Sequence, residues 1–65
     1  MALTKKMEQA LNDQIILEGY ASFLYLSMAS WCEQQTLDGC AQFMHRQSEE
    51  EREHMLKIFH YVNEV

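Results

Sequence analysis

From Thr4 onward, apolar residues recur at steps of three and four, the spacing that gathers side chains on one face of an α-helix. Thr4 itself predicts an N-cap, because a threonine hydroxyl can accept from the free backbone N–H groups of the first turn. The pattern lapses in the segment EQQTLDG, where Thr36, Asp38 and Gly39 predict a turn and Asp38 a cap for a second helix. It then resumes and runs to the end of the chain. The reading is all-α: a helix over about 4–33, a turn over about 34–38 and a second helix over about 39–65, together one half domain spanning 1–65. Helices of this length exceed the average of roughly 11–12 residues and suit an extended bundle.

Alternating steps of four and three predict the packed stripe of each helix. The first runs Met7, Leu11, Gln14, Glu18, Ala21, Tyr25, Met28, Cys32, and the second Cys40, Met44, Gln47, Glu51, His54, Ile58, Tyr61, Val65. Both stripes are apolar at their ends and polar in the middle. A hairpin folded at the turn brings Glu18 level with the segment from Glu51 to His54, and those two lie three residues apart on one helical face. Two carboxylates and an imidazole therefore converge at one height. The first helix also carries a second apolar surface, with Leu3, Ala10, Leu17, Leu24 and Trp31 at sevens, joined by Ile16 and Phe23. One partner helix cannot cover both faces, so further helices are expected, from another chain or from a missing continuation.

Composition narrows the chemistry. A chain of 65 residues buries only about 60% of its unfolded surface and usually needs disulfides, a metal or oligomerisation. Two cysteines make no disulfide framework; Cys32 and Cys40, at the turn end of both stripes, are close enough for a bridge to be conceivable, but two reduced, buried thiols are expected. With a net charge of -5 and only five Lys and Arg residues, no nucleic-acid partner is expected. The stretch from Gly19 to Cys32 is too short to span a bilayer, and no apolar run adjoins Lys5 and Lys6 as a signal peptide would require. The expectation is therefore a cytoplasmic chain with no membrane partner.

A buried carboxylate costs several kcal/mol unless it is paired or coordinated. The oxygen and nitrogen donors of Glu18, Glu51 and His54, with no thiolate among them, suit iron or manganese and would also take zinc. Helix bundles build di-iron sites from one Glu on each of two helices and Glu-x-x-His on each of the other two, and this chain supplies half of that set. Gln14 and Gln47 flank the three on the same stripes and could orient the carboxylates. His45 and His60 fall off the stripes and are expected at the surface.

The stretches LNDQIILEGYASFLYLSMASWCEQQTLDG and EEEREHMLKIFHYVNE resemble the first two helices of bacterial non-haem ferritins. The resemblance implies an antiparallel helical hairpin forming half of a ferritin-like four-helix bundle. It implies Glu18, Glu51 and His54 as ligands of a ferroxidase centre, with Glu51 bridging two irons, Tyr25 beside the centre and Glu50 in a neighbouring third iron site. The activity it implies is oxidation of Fe(II) to Fe(III) by dioxygen, with iron stored inside a homo-oligomeric shell of 24 subunits. Arg52 stands where related haem-binding bacterioferritins carry a methionine, which implies no haem. A whole ferritin subunit has two more long helices, so the chain is either a fragment of a longer subunit or a hairpin that self-associates. The alternative from a different class is a metal-free helical assembly module. Ile16 and Gly19 replace residues that are larger or more polar in the family.

Overall fold

The computed structural model describes residues 3–65, so the first two residues of the assigned half domain lie outside the described part. It holds two antiparallel helices, α1 over Lys5–Gln34 and α2 over Asp38–Glu64. The hairpin measures 49 × 15 × 10 Å with a radius of gyration of 15.0 Å, against about 11 Å for a compact domain of this length. An all-α hairpin was expected and is what forms.

Thr4 caps α1 as its chemistry dictates, in extended backbone with its Oγ1 accepting from the Met7 N–H at 3.1 Å. The other end was less legible. Asp38, expected as the cap of α2, is instead its first helical residue; Leu37 takes the cap position with no side-chain bond. The chain reverses on Thr36, whose φ of 57° lies in the left-handed region, and not on Gly39, which has no positive φ. The Thr36 N–H donates to the Glu33 carbonyl at 3.0 Å and the Leu37 N–H to the Cys32 carbonyl at 2.8 Å, the paired closure that ends many helices. Glycine is usual at that left-handed position, because a side chain there costs roughly 1–2 kcal/mol. Thr36→Gly is therefore expected to stabilise the protein by about 1 kcal/mol, read as a higher denaturant midpoint with unchanged slope.

Packing between the helices departs from the expected stripes in an informative way. Each helix presents three rows of residues spaced by sevens. The central rows, Leu11, Glu18, Tyr25, Cys32 and Met44, Glu51, Ile58, are all at least partly buried. The rows that complete the seam are Ile15, Ser22, Ala29 on α1 and Ala41, Ser48, Met55, Val62 on α2, which include the buried Ala29, Ser22, Ala41 and Ser48. The rows expected there instead, Met7, Gln14, Ala21, Met28 and Cys40, Gln47, His54, Tyr61, are mostly exposed, with Met7 at 51% and Tyr61 at 49%. Small residues win the seam because they let two backbones approach closely. The larger ones line an open edge beside it.

Two details lock the seam. Ser22 Oγ donates to the Ser48 carbonyl at 2.9 Å and Ser48 Oγ donates to the Ser22 carbonyl at 2.8 Å, a reciprocal buried pair joining the helices. Gly19 lets the Met55 thioether lie against α1, since a Cβ there would meet Sδ at 3.2 Å. A side chain at this position would require Met55 to give way by a few tenths of an ångström, against the roughly 1 kcal/mol that glycine costs in a helix interior.

Candidate metal centre

Glu51 is the middle residue of α2, and Glu18 adjoins the middle pair of α1, Gly19 and Tyr20. Antiparallel pairing thus sets them opposite each other, and His54 follows one turn along α2. Ligand atoms of Glu18, Glu51 and His54 all lie within 4.8 Å of one another. His54 Nδ1 is 3.7 Å from Glu18 Oε2 and 3.9 Å from Glu51 Oε2. These spacings are too long for hydrogen bonds. They are right for atoms sharing one ion, since two donors each about 2.1 Å from a metal can be up to about 4.2 Å apart.

The carboxylates are the enclosed members, with side chains 17% exposed for Glu18 and 23% for Glu51, against 54% for His54. Gln14 Nε2 donates to Glu18 Oε1 at 2.8 Å, the orienting contact expected of it. Glu18 Oε2, in contrast, is buried with no hydrogen-bond donor. Such an oxygen is costly to leave unpaired. A divalent cation would satisfy it, so the residues present fit one.

Charge says the same. The neighbouring Glu51 carboxyl, then the bond from Gln14, holds Glu18 below the ordinary carboxylate range. The adjacent Glu18 carboxylate, with desolvation behind it, pushes Glu51 above that range. The pair prefers to keep one proton between its two carboxyl groups. A raised carboxyl stabilises the fold below its ordinary pKa and loses that contribution as pH rises through its folded value; a depressed one loses its contribution as pH falls through its own. The metal-free protein is therefore expected to melt highest in mild acid, near the ordinary carboxylate pKa, and to lose stability both toward neutrality and toward strong acid. Glu51→Gln should remove the loss toward neutrality. A melting profile over pH in chelator checks both.

The other expected residues lie apart. Tyr25 is partly buried in the central row of α1, two turns from Glu18. Glu50 is exposed and lines a shallow depression with His45, Arg46, Glu49 and Glu53. His45 Nε2 lies 3.4 Å from Glu33 Oε1 at the surface. Both cysteines are free thiols, but only Cys32 is buried; Cys40, expected to be buried as well, is exposed. Burial, then the nearby Cys40, pushes the Cys32 thiol up, which keeps it unreactive. Sequence reasoning missed the Ser22–Ser48 pair, whose only signal was a serine in each helix at matching distance from the turn.

An antiparallel hairpin of two long helices is consistent with half of a four-helix bundle. The chain matches the ferritin-like domain of the Ferritin family over residues 8–65 and belongs to that family. It is 47% identical over 63 residues to a probable bacterial non-heme ferritin-like protein of Haemophilus influenzae, covering 97% of this chain and 38% of that protein. A bacterial non-heme ferritin of Campylobacter jejuni is 45% identical over the same shares, and one of Escherichia coli O157:H7 is 40% identical, again over 97% and 38%. The chain thus spans about two fifths of the length of these relatives. No solved structure matches it significantly. Among the described residues no helix is long and apolar enough to cross a membrane.

Proposed function

We propose that this chain binds Fe(II) through Glu18, Glu51 and His54 and serves ferritin-type iron storage, with Fe(II) as the substrate that dioxygen oxidises. The observation that carries the reading is the convergence of three ligand atoms around the donorless Oε2 of Glu18. In this reading Glu51 bridges two irons and His54 is a terminal ligand. Gln14 fixes the Glu18 carboxylate, and Glu51 gives up the proton it shares with Glu18 when the cation arrives. Each Fe(II) loses one electron and dioxygen accepts the electrons. Tyr25 lies beside this path and Glu50 outside it, where it could receive iron at a neighbouring position. Arg52 supplies no haem ligand. The assembly is a homo-oligomer, a 24-subunit shell if the rest of a ferritin subunit is present, in the cytoplasm. Names of the relatives support iron as the metal.

Anaerobic titration with Fe(II), followed by admission of dioxygen and absorbance in the near ultraviolet, tests this. Saturable binding followed by ferric absorbance supports the reading, and absence of saturable binding removes it. The second reading, a metal-free assembly module, draws on the exposed apolar surface, which includes Phe23 at 74% and Ile16 at 68%. It expects a melting temperature indifferent to chelator, whereas a metal that binds only the folded form raises it.

A further inference from the structure

Away from the metal centre, two free thiols stand on either side of the turn. We propose that Cys32 and Cys40 form a redox-responsive pair: two thiols under reducing conditions, and an intrachain disulfide joining α1 to α2 once a low-molecular-weight disulfide is in excess. The pair needs no metal and is independent of what Glu18, Glu51 and His54 bind.

Register brings the two sulfurs together. Cys32 lies two heptads from Glu18 and Cys40 two heptads from His54, both displaced toward the turn, so the thiols occupy the same two rows of the antiparallel hairpin. In those rows His54 Nδ1 comes within 3.7 Å of Glu18 Oε2. Cysteine side chains are shorter, and the seam at this end suits them: it is made by Ala29 and Ala41, 0% and 4% exposed, whose small side chains admit close backbone approach. The backbone holds both residues in place. The Leu37 N–H donates to the Cys32 carbonyl at 2.8 Å, and Cys40 follows Leu37 by less than one turn of α2. Three helical residues advance about 4.5 Å, within the roughly 4.4–6.8 Å between Cα atoms that a disulfide spans. Burial, then the neighbouring Cys40, raises the Cys32 thiol, which agrees with two sulfurs in reach of each other.

Exposure divides the roles. Cys40 is exposed and Cys32 only 5% exposed, so a dissolved oxidant meets Cys40 first. The Cys40 thiolate attacks one sulfur of the small disulfide, that S–S bond breaks, and one small thiol leaves. Cys32, inert toward reagents in solution, then has an activated sulfur beside it and needs no encounter to react. Its Sγ gives its proton to water and bonds to Cys40 Sγ, and the second small thiol leaves with the electron pair of the broken bond. The two cysteines lose two electrons and the small disulfide gains them as two thiols. The closed ring contains the left-handed Thr36, so oxidation holds the turn shut.

Metal-free protein in chelator, treated with excess oxidised glutathione, acid-quenched and alkylated, is read by mass spectrometry with peptide mapping. The expected product is a single chain lighter by two hydrogens, with no alkylated thiol and a peptide linking Cys32 to Cys40, reversed by reduced glutathione. Its melting temperature should rise by at least about 5 °C over the reduced form. Cys32→Ser should stop at one glutathione on Cys40, whereas Cys40→Ser should take up glutathione at least tenfold more slowly. Two free thiols, glutathione retained on Cys40 of the parent, or a bridge between two chains would each overturn the pair. An unchanged melting temperature in the bridged form would overturn the disulfide as a brace of the turn, and equal uptake by the two variants would overturn Cys40 as the residue that reacts first.

Discussion

Replacing Glu51 with alanine is expected to abolish saturable Fe(II) binding, weakening it by at least about 100-fold, while the helices persist. The magnitude follows from what Glu51 does. Even groups that only orient a ligand are worth about 10–100-fold in metal affinity, and Glu51 is the carboxylate that the site encloses opposite Glu18. Its removal leaves Glu18 Oε2 with a histidine as its nearest partner and no second anion to hold a divalent charge. The fold should tolerate the loss, because Glu51 in the metal-free protein carries a carboxyl whose ionisation is opposed by its neighbour. Glu51→Gln sharpens the comparison. It keeps the shape and hydrogen bonding, removes the charge, and should raise the metal-free melting temperature at neutral pH while binding no iron. A metal-insensitive protein would show the same stabilisation with no loss, so isothermal titration with Fe(II) on all three proteins separates the readings. Unchanged binding in Glu51→Ala would place the metal elsewhere.

How much of this was legible in the sequence depends on which residue carried the signal. Thr4 declared its helix start through a local bond to Met7, three residues away, and local chemistry is what a sequence states most directly. Glu18, Glu51 and His54 were legible because charged groups at core spacing have few innocent explanations. The packed rows were half legible. Four-three stepping found the central rows and the open-edge rows, the pair that would face the middle of a four-helix bundle. It missed the rows of Ser22, Ala29, Ala41 and Ser48, because small residues carry little hydrophobic signal even when close approach of two backbones makes them the most buried positions. Gly39 misled for a similar reason. Glycine marks a turn by what it permits, and here the strained position fell to Thr36, held in place by the Cys32 and Glu33 carbonyls. The sequence placed Thr36 in the turn, and the local closure on the Cys32 and Glu33 carbonyls decides that it, and not Gly39, takes the left-handed conformation.

Ser22→Ala and Ser48→Ala are each expected to destabilise the protein by about 0.5–1.5 kcal/mol, and the double substitution by less than their sum. Each hydroxyl donates to the other serine's carbonyl, and the two oxygens lie 3.0 Å apart. Losing one hydroxyl removes its own bond and the contact between the two oxygens, while the other hydroxyl still donates to a backbone carbonyl; the double variant loses that contact only once. Contacting residues in one network show coupling energies of about 0.5–3 kcal/mol, so a cycle of four proteins in urea resolves the effect. Additive losses would mean that the serines act separately, as small residues alone. The pair also bears on the metal. Ser22 lies one turn beyond Glu18 and Ser48 about one turn before Glu51, so the bonds fix the helix separation where the two carboxylates must meet. Ser48→Leu, which forces that separation to widen, should weaken Fe(II) binding at temperatures far below melting. The double alanine variant, which keeps the seam small, should bind nearly as the parent does. A site positioned by helix spacing responds in that order, and one positioned only by its own side chains would not.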